Sequence, residues 1–299
     1  MLPFDTTVKP CAICSEMSQD VELLYRLSDY DVLICQCCGL VYVNQTFEME
    51  KGHGIPGGYD AIYLPAERSF LARFERNFEC IEDMVDGSQG KILDIGCGVG
   101  YFLRVARERG WVVAGVDLDR AAVDIARQHS IDVCWETVEE MSFSDNEFDV
   151  VTLFNVIEHL PTPQIALEKI WRVLKPRGLF VLETPTDDFP LKYPIRLLYR
   201  LSGGKITQPI RYLYSSRDAG GHVYRFSRET ITRILERAGF EVLKVCAGEN
   251  PPFRLYLSKR NFGKGWSMKA ANFLVFGLVF GLVKLTGLHS RMVVYARKV

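Results

Sequence analysis

Apolar and polar positions alternate with two different periods between residues 90 and 247. Short apolar runs of strand length are followed by longer segments in which apolar side chains recur every three or four residues, the helical period. The runs fall at 92–95, 111–117, 131–135, 148–154, 179–183 and 240–247, and the helical segments at 101–109, 119–129, 163–174 and before Gly239. Strands that alternate with helices predict an α/β domain on a mostly parallel sheet.

A helix is also predicted ahead of this alternating region. Phe70, Phe74, Phe78 and Ile81 recur at helical spacing within residues 65–86. An aromatic stripe of this kind is typical of a helix that packs on a core. We therefore expect this helix to pack against the main sheet.

Three glycines follow the first apolar run of the alternating region. Gly96, Gly98 and Gly100 break the strand just before a helix, where the backbone must take positive φ or lie against a ligand. A dinucleotide site would place its third glycine where this chain has Tyr101, so the spacing argues against NAD or FAD. The pattern Asp94-x-Gly96-x-Gly98-x-Gly100 instead resembles the first motif of class I S-adenosylmethionine (SAM) dependent methyltransferases.

The resemblance implies a Rossmann-like, doubly wound, seven-stranded and mostly parallel sheet, with the glycine loop under the methionine end of SAM. An acid at the end of the second strand can accept hydrogen bonds from both ribose hydroxyls, and Asp117 holds that position. The other role for an acid here, capping the next helix, fits Asp119 better. The cofactor-binding residues implied in this way are Asp94, Gly96, Gly98, Gly100, Asp117, Leu118, Thr137, Val138 and Asn155.

Candidate catalytic residues follow the fourth strand, because ligands bind beyond the carboxyl ends of the strands in open α/β sheets. His159 has the intrinsic pKa of a general base, and Glu158 could orient it or the substrate. His222 is a second candidate base, in a stretch that resembles the ubiquinone-biosynthesis-like, methyltransferase-23-like branch. Related quinone-type and RNA-end methyltransferases hold a divalent metal here, but Asn155 replaces their first glutamate. Glu158 and His159 could instead only shape the turn.

Two cysteine pairs near the start of the chain have the spacing of a structural zinc ribbon. Cys11 and Cys14 form one pair, Cys35 and Cys38 the other, and Cys37 is left over. Four ordinary buried cysteines are the alternative, which the paired spacing disfavours. Four thiolates would close the coordination of the metal, so we expect a structural role.

Charge is distributed unevenly along a chain whose net charge is −1. Residues 250–299 contain nine Lys or Arg and no acid, and include an apolar stretch from Phe273 to Val283 that is too short to span a bilayer. Peripheral membrane contact through 254–288 is one interpretation; a helix buried against the domain, or against a second copy in a homodimer, is another. The acidic remainder of the chain makes a nucleic-acid partner less favourable.

Cellular location is inferred from the start of the chain and from its cysteines. Residues Met1 to Thr7 lack the basic start and apolar core of a signal peptide, and the nine cysteines favour a reducing compartment. We expect a cytoplasmic protein, or one bound peripherally to the inner face of the membrane.

The sequence predicts three parts. They are a four-cysteine zinc-ribbon-like module over 1–50, a linker and cofactor-covering helix over 51–89, and a methyltransferase domain over 90–299 with helical insertions at 185–221 and 250–290. The expected reaction transfers a methyl group from SAM to a hydroxyl of a saccharide, a lipid-linked glycan or another small metabolite. Two alternatives stay open: a non-catalytic zinc-containing adaptor that keeps the fold, and a quinone-type O-methyltransferase at the membrane surface.

Overall fold

The computed structural model describes residues 11–14, 20–44, 64–85, 89–214, 222–249 and 289–299. The membrane-contact segment predicted at 254–288 lies outside these residues, as does the linker at 51–58. None of the helices in the described part of the chain is long and apolar enough to cross a membrane.

The described chain forms eleven strands and seven α-helices. The strands are β1 (Val21–Arg26), β2 (Asp31–Cys35), β3 (Val41–Val43), β4 (Lys91–Ile95), β5 (Val112–Asp117), β6 (Val133–Trp135), β7 (Phe148–Phe154), β8 (Leu174–Pro185), β9 (Tyr224–Arg225), β10 (Phe240–Ala247) and β11 (Arg291–Lys298). The helices are α1 (Glu67–Met84), α2 (Tyr101–Glu108), α3 (Arg120–Gln128), α4 (Pro163–Val173), α5 (Lys192–Leu201), α6 (Gln208–Tyr214) and α7 (Arg228–Arg237). Short 3-10 turns cover Leu64–Ala66 and Ile157–His159.

Seven strands form the main sheet, in the order β10-β11-β8-β7-β4-β5-β6. The strands β4 to β8 pair in parallel, whereas β11 is antiparallel to both of its neighbours. This arrangement confirms the predicted Rossmann-like, doubly wound and mostly parallel seven-stranded sheet. The carboxyl ends of β4, β5 and β7 therefore meet at one edge, where the candidate site lies.

Helix α1 packs as its aromatic stripe predicted, although it begins and ends two residues inside the expected bounds. Phe78 is fully buried, and its ring lies against Phe102 and Trp111 at centroid distances of 5.8 and 5.9 Å. Phe74 contacts Phe154 at the end of β7, at 5.4 Å. The stripe thus covers one face of the main sheet.

The fifth strand of the main sheet, β8, is longer than its sequence pattern predicted. The pattern predicted a helix to residue 174 and a strand over 179–183, but the ladder already begins at Leu174, opposite Phe148. The pairing of β7 with β8 shifts register between Phe148 and Val150, and Arg177 takes φ 61°. This irregularity accommodates the extra residues, so the turn-like segment becomes part of the strand.

A second, smaller sheet has the order β1-β2-β3-β9. Its first three strands come from the cysteine-containing segment, but β9 follows α6 in the domain predicted over 90–299. Helices α5 and α6 pack on it, with Ile210 and Tyr214 buried against Tyr25 and Tyr30. The small sheet therefore joins the two parts of the chain, while the predicted boundaries at 50 and 90 stay predictions.

Candidate active site

The glycine loop connects β4 to α2 through residues in the left-handed region. Gly96 has φ 70° and Gly100 has φ 79°, conformations that side chains with a Cβ rarely adopt. A Cβ on Gly96 would also collide with Val156 from the loop after β7. The loop is thus shaped by glycine both in its backbone and in its packing, and the first amides of α2 follow at once.

Asp117 lies at the end of β5, next to this loop. Its carboxylate accepts hydrogen bonds from the backbone N–H groups of Gly98, at 2.7 Å, and of Asp119, at 2.8 Å. Burial raises the pKa of Asp117 to about 6, and the two amide bonds oppose that rise. Asp119 caps α3 by accepting from the amides of Ala121 and Ala122, as expected, while the ribose role of Asp117 stays a prediction.

Asp94 is buried inside the sheet and does not line the surface of the loop. The hydroxyl of Thr152 on β7 donates to its carboxylate at 2.7 Å. Burial raises the pKa of Asp94 to about 8, and the Thr152 hydrogen bond opposes the shift. Asp94 would therefore act on a ligand at the glycine loop only indirectly, by fixing the ends of the neighbouring strands.

Three of the predicted cofactor-binding residues lie just after the ends of β5 and β6. The Leu118 carbonyl accepts a hydrogen bond from the Trp135 indole at 2.9 Å. Thr137 and Glu140 cap the following turn reciprocally, because the Thr137 hydroxyl accepts from the Glu140 amide at 3.3 Å. Val138 is buried beneath this turn. The cofactor-binding roles of Leu118, Thr137 and Val138 stay predictions.

Asn155 ends β7 in a left-handed conformation, with φ 57°. Its amide N–H donates to the carbonyl of Glu183 at 2.7 Å, and its side-chain Nδ2 donates to the Glu183 carboxylate at 3.3 Å. The Asn155 side-chain oxygen is buried and has no hydrogen-bond partner. This residue turns the chain sharply toward the 3-10 turn that carries Glu158 and His159.

Glu158, His159 and His222 come together at this edge of the sheet. Their ligand atoms all lie within 4.8 Å of one another, and the two imidazole rings are 4.8 Å apart between centroids. Glu158 is fully buried; one carboxylate oxygen accepts from the Thr184 hydroxyl at 3.0 Å, and the other lies 4.0 Å from His222 Nε2 without a hydrogen-bond partner. Two segments more than sixty residues apart thus supply one polar cluster.

Burial acts in opposite directions on the acid and base of this cluster. It raises the pKa of Glu158, and the charge of His159 opposes that rise. It lowers the pKa of His222 well below the usual value, with a further lowering by His159, Arg225 and Arg291. The environment therefore favours the neutral imidazole of His222, which can accept a hydrogen bond or a ligand.

Backbone hydrogen bonds connect the cluster to the small sheet. The amide of Val223 donates to the Glu158 carbonyl at 2.8 Å, and the Val223 carbonyl accepts from the amide of Val43 at 2.9 Å. Val43 belongs to β3, which follows the second cysteine pair. A single residue after His222 therefore joins the cysteine-containing sheet to the candidate catalytic turn.

Three functional candidates were missed by the sequence analysis. Glu183 is fully buried on β8, and one of its oxygens accepts from Arg73 at 2.7 Å and from Arg291 at 3.1 Å. Through Asn155 this oxygen also contacts the loop of the candidate site. A carboxylate at the end of an otherwise apolar strand was the available signal, but its partners lie about 110 residues away on either side.

The four paired cysteines form a second cluster. Their sulfur atoms lie within 4.8 Å of one another, Cys11 and Cys38 are 3.6 Å apart, and all four are buried, whereas Cys37 is exposed. A hydrogen bond from Cys38 lowers the pKa of Cys11 to about 5, and burial raises the pKa of Cys14. Sulfurs bound to one tetrahedral zinc ion lie roughly 3.8 Å apart, so the donor set fits zinc.

A family model described as a methyltransferase domain, Methyltransf_23, matches residues 68–245. The ubiquinone biosynthesis O-methyltransferase of Alkalilimnicola ehrlichii is 36% identical over 112 residues, which cover 35% of this chain and 45% of that protein. The protein of the same name from Coxiella burnetii is 25% identical over 182 residues, covering 58% of this chain and 73% of that protein. The chain thus spans under half of the first relative's length.

Solved structures share the fold at lower sequence identity. A SAM-dependent methyltransferase from Archaeoglobus fulgidus superposes with a TM-score of 0.50 at 20% identity, covering 79% of this chain and all of that one. The cyclase SpnF gives the same TM-score at 22% identity, covering 75% of this chain and 81% of that one. One neighbour is named for methyl transfer and the other for cyclisation, so the fold alone does not select the reaction.

Proposed function

Since the chain belongs to the methyltransferase domain family Methyltransf_23 and carries a SAM-dependent methyltransferase domain, we propose that it transfers the methyl group of SAM to the hydroxyl of a small acceptor. The observation that carries this proposal is the meeting of Glu158, His159 and His222 at the carboxyl end of β7. In an open α/β sheet this is where a ligand bound along the same edge would react.

The glycine loop and Asp117 are the proposed cofactor contacts. SAM would lie along the edge from Gly96 to Asp117, its methionine end over the loop and its ribose hydroxyls against the carboxylate. Two features support this: the glycine loop exposes backbone without side chains, and Asp117 is held at the strand end by two amides. Leu118, Thr137 and Val138 are proposed for the adenine side, and Asn155 for the reacting end.

Positioning and one proton transfer account for the proposed chemistry. The acceptor oxygen attacks the methyl carbon in line with the carbon–sulfur bond, the bond to sulfur breaks, and SAM leaves as neutral S-adenosylhomocysteine. We assign the acceptor's proton to the imidazole of His159 as general base. Glu158 and His222 orient the acceptor and the base. Burial lowers the pKa of His222 and so favours its neutral imidazole, which can accept a hydrogen bond.

The same cluster could also hold a divalent cation. Glu158, His159 and His222 offer one carboxylate and two imidazoles within 4.8 Å. Asn155, where related enzymes have a glutamate, has a buried side-chain oxygen without a hydrogen-bond partner. Bound there, a cation would polarise the acceptor hydroxyl and lower its pKa. The neutral Asn155 removes one anionic ligand, so we keep general base catalysis as the primary assignment.

Two classes of acceptor are candidates. The sequence analysis favoured a saccharide or lipid-linked glycan, whereas the named relatives are ubiquinone biosynthesis O-methyltransferases. Their names support a phenolic hydroxyl on a quinone-type ring. A phenol is also more acidic than a sugar hydroxyl, which suits a histidine base.

The four-cysteine cluster is the proposed site of a structural zinc ion. Cys11, Cys14, Cys35 and Cys38 supply a complete thiolate set with no position left for a substrate. Their packing supports a structural role, because the Thr230 hydroxyl donates to the Cys38 carbonyl at 3.2 Å and Arg233 donates to the Cys37 carbonyl at 3.0 Å. The zinc ion would hold the small sheet in place beside α7.

Methyl transfer is tested with radiolabelled SAM, offering a soluble catechol and a reducing saccharide separately. We expect transfer to the catechol. Glu158→Gln and His159→Gln should each lower kcat by about 100-fold while leaving SAM affinity unchanged. A loss of this size is usual when a general base, or the group that orients it, is removed. His129→Gln is the matched control, because His129 is exposed at the end of α3.

Three outcomes distinguish base catalysis from a non-catalytic adaptor and from catalysis with a bound cation. Wild-type rates in both cluster variants would contradict the catalytic assignment. SAM binding without transfer to either acceptor would favour the adaptor alternative. Loss of transfer after EDTA treatment, with recovery on adding Mg²⁺, would assign the cluster to a cation in place of base catalysis.

A further inference from the structure

Helix α5 and the turn after it expose an unusual density of large apolar side chains. Tyr193, Leu197 and Leu201 are 66%, 58% and 77% exposed, and Leu198 and Ile206 are exposed as well. No other stretch of this length in the described chain carries more than two such side chains. At 3.6 residues per turn, Tyr193, Leu197 and Leu201 fall within about 80° of the helix circumference. We call these five residues the α5 apolar face.

The opposite side of α5 fixes the helix to the small sheet. Ile195 and Tyr199 pack in the cluster formed by β1, β2 and β3, and the rings of Tyr199 and Tyr25 meet at 5.2 Å. The Tyr199 hydroxyl accepts from the Arg26 amide at 3.0 Å and donates to the Arg26 carbonyl at 3.1 Å. The helix therefore presents its apolar face to solvent from a well-anchored position.

Basic side chains border the apolar face. Residues 189–214 contain five Lys or Arg and no acid. Lys192 pairs with Asp187, and Arg211 pairs with Asp29. Arg196, Arg200 and Lys205 form no ion pair within the described residues. By helical geometry, Arg196 and Arg200 lie between the buried side of α5 and Tyr193, directly beside the apolar face.

We propose that the α5 apolar face docks on the surface of an anionic lipid bilayer. Apolar side chains would enter the boundary between head groups and acyl chains, while Arg196, Arg200 and Lys205 meet the phosphates. Arginine and lysine suit this border, because their stems lie along apolar surface while their charges reach the head groups. This proposal concerns residues other than 254–288, and it does not depend on the proposed methyl transfer.

Charge decides between a bilayer and a second copy of the chain. In a twofold dimer through this face, Arg196 and Arg200 of one copy would approach the same residues of the other. Like charges facing each other disfavour such a contact. An anionic bilayer offers the opposite charge together with an apolar layer, and so matches both properties of the face.

The test is flotation of the full chain with vesicles of phosphatidylcholine alone and of phosphatidylcholine mixed with phosphatidylglycerol. We expect flotation with the mixed vesicles only. Leu197→Gln combined with Leu201→Gln should weaken binding by more than about tenfold, because both side chains leave the acyl boundary. Neither leucine packs in a core cluster of the described chain, so the fold should tolerate the change.

The electrostatic part is tested with Arg196→Gln combined with Arg200→Gln. Binding should weaken by about thirtyfold, since each basic residue near an anionic surface contributes about a fivefold change in affinity. The salt dependence of binding should fall as well. Ile165→Gln is the control for an exposed apolar residue on another helix, and Arg68→Gln with Lys244→Gln removes two exposed charges elsewhere.

Several results would overturn the proposal. They are wild-type protein that does not float, equal flotation with neutral vesicles, and α5 variants that bind as tightly as the controls. A change in molecular mass by light scattering in the Leu197 and Leu201 variant, with flotation unaffected, would instead assign the face to a contact between copies.

Discussion

At the scale of single residues, backbone hydrogen bonds distinguish two buried carboxylates of the site. Asp94 and Asp117 lie on adjacent strands and both have raised pKa values, near 8 and near 6. Only Asp117 has backbone amides on both oxygens, which favours its ionised form. Asp117 is therefore suited to accept ribose hydroxyls, while Asp94 shares a hydrogen bond with Thr152 inside the sheet.

Asp94 should make the protein less stable as pH rises. Its pKa is about 8 in the folded chain against an ordinary 3.8, so between these values the unfolded chain has lost a proton that the folded chain keeps. The free energy of unfolding should then fall with increasing pH, by up to about 1.4 kcal/mol per pH unit from this group. Asp94→Asn should reduce that slope.

The slope is measured by urea unfolding at several pH values between about 4 and 8. Asp124→Asn is the control, because Asp124 is exposed on α3 and should leave the slope as in the wild type. An Asp94→Asn protein that keeps the full wild-type slope would show that Asp94 is ionised in the folded chain.

Local sequence was a good guide to residues whose role depends on near neighbours. The glycines at 96 and 100 adopt the positive φ that their spacing predicted, and Asp119 caps α3 through amides two and three residues ahead. Arg73 and Arg291 were missed because their partner Glu183 is distant in sequence. Long-range polar pairs leave no periodic signal in the pattern of side chains.

At the scale of secondary structure elements, Glu183 connects four segments. It binds Arg73 on α1, Arg291 on β11 and Asn155 after β7, from its own position on β8. Arg73 is itself nearly buried. This carboxylate therefore fixes the covering helix and the final strand against the loop of the candidate site.

Glu183→Gln should lower the free energy of unfolding by about 3 kcal/mol or more, because it leaves buried arginine charge without its partner. Arg76→Gln is the matched control: Arg76 lies on the same helix, but its pair with Glu249 is 54% and 46% exposed. That change should cost less than about 1 kcal/mol. If urea unfolding gave equal decreases in the free energy of unfolding for the two variants, the stabilising role of Glu183 would be contradicted.

The small sheet gives a second prediction at this scale. Purified protein should hold about one zinc ion per chain. Cys38→Ser should lose it and lower kcat, because β3 bonds to Val223 beside His222. Cys37→Ser is a control one residue away, since Cys37 is exposed and outside the cluster.

Metal analysis and thermal unfolding on the same samples check the zinc assignment. Zinc retained in Cys38→Ser, or lost in Cys37→Ser, would contradict a site made of Cys11, Cys14, Cys35 and Cys38. A Cys38→Ser protein that lost zinc but kept both its melting temperature and its kcat would contradict the link from β3 to the candidate site.

The sequence pattern predicted whether a segment is a helix or a strand better than it predicted which strands pair. The helix-to-strand alternation was expected, and β10 has the predicted bounds. The pairing of β3 with β9 was not expected, because two residues at Tyr224–Arg225 carry too short a pattern to mark a strand. The early start of β8 depended on register with β7, which only the assembled sheet decides.

At the scale of the whole molecule, segments late in the chain complete both sheets next to the candidate site. The last strand lies between β8 and β10, so residues from 291 onward complete the main sheet. Residues 222–226 complete the small sheet and also supply His222. The seven-stranded, mostly parallel sheet was expected through the family resemblance, whereas local periodicity alone marked six strands between residues 90 and 247.

We expect SAM to bind along the edge from the glycine loop to Asp117. Asp117→Ala should weaken SAM binding by about 100-fold, because two hydrogen bonds to a charged acceptor are lost. Asp117→Asn, which keeps the side chain's shape, separates that loss from any effect on folding. Asp124→Ala on the next helix is the exposed control and should bind normally.

The most direct measurement is calorimetric titration of the purified chain with SAM and with S-adenosylhomocysteine. We predict that both bind at about one molecule per chain, and that Asp117→Ala weakens SAM binding by about 100-fold while circular dichroism stays that of the wild type. Absence of binding for both ligands in the wild type, or undiminished binding in Asp117→Ala and Asp117→Asn, would contradict the account.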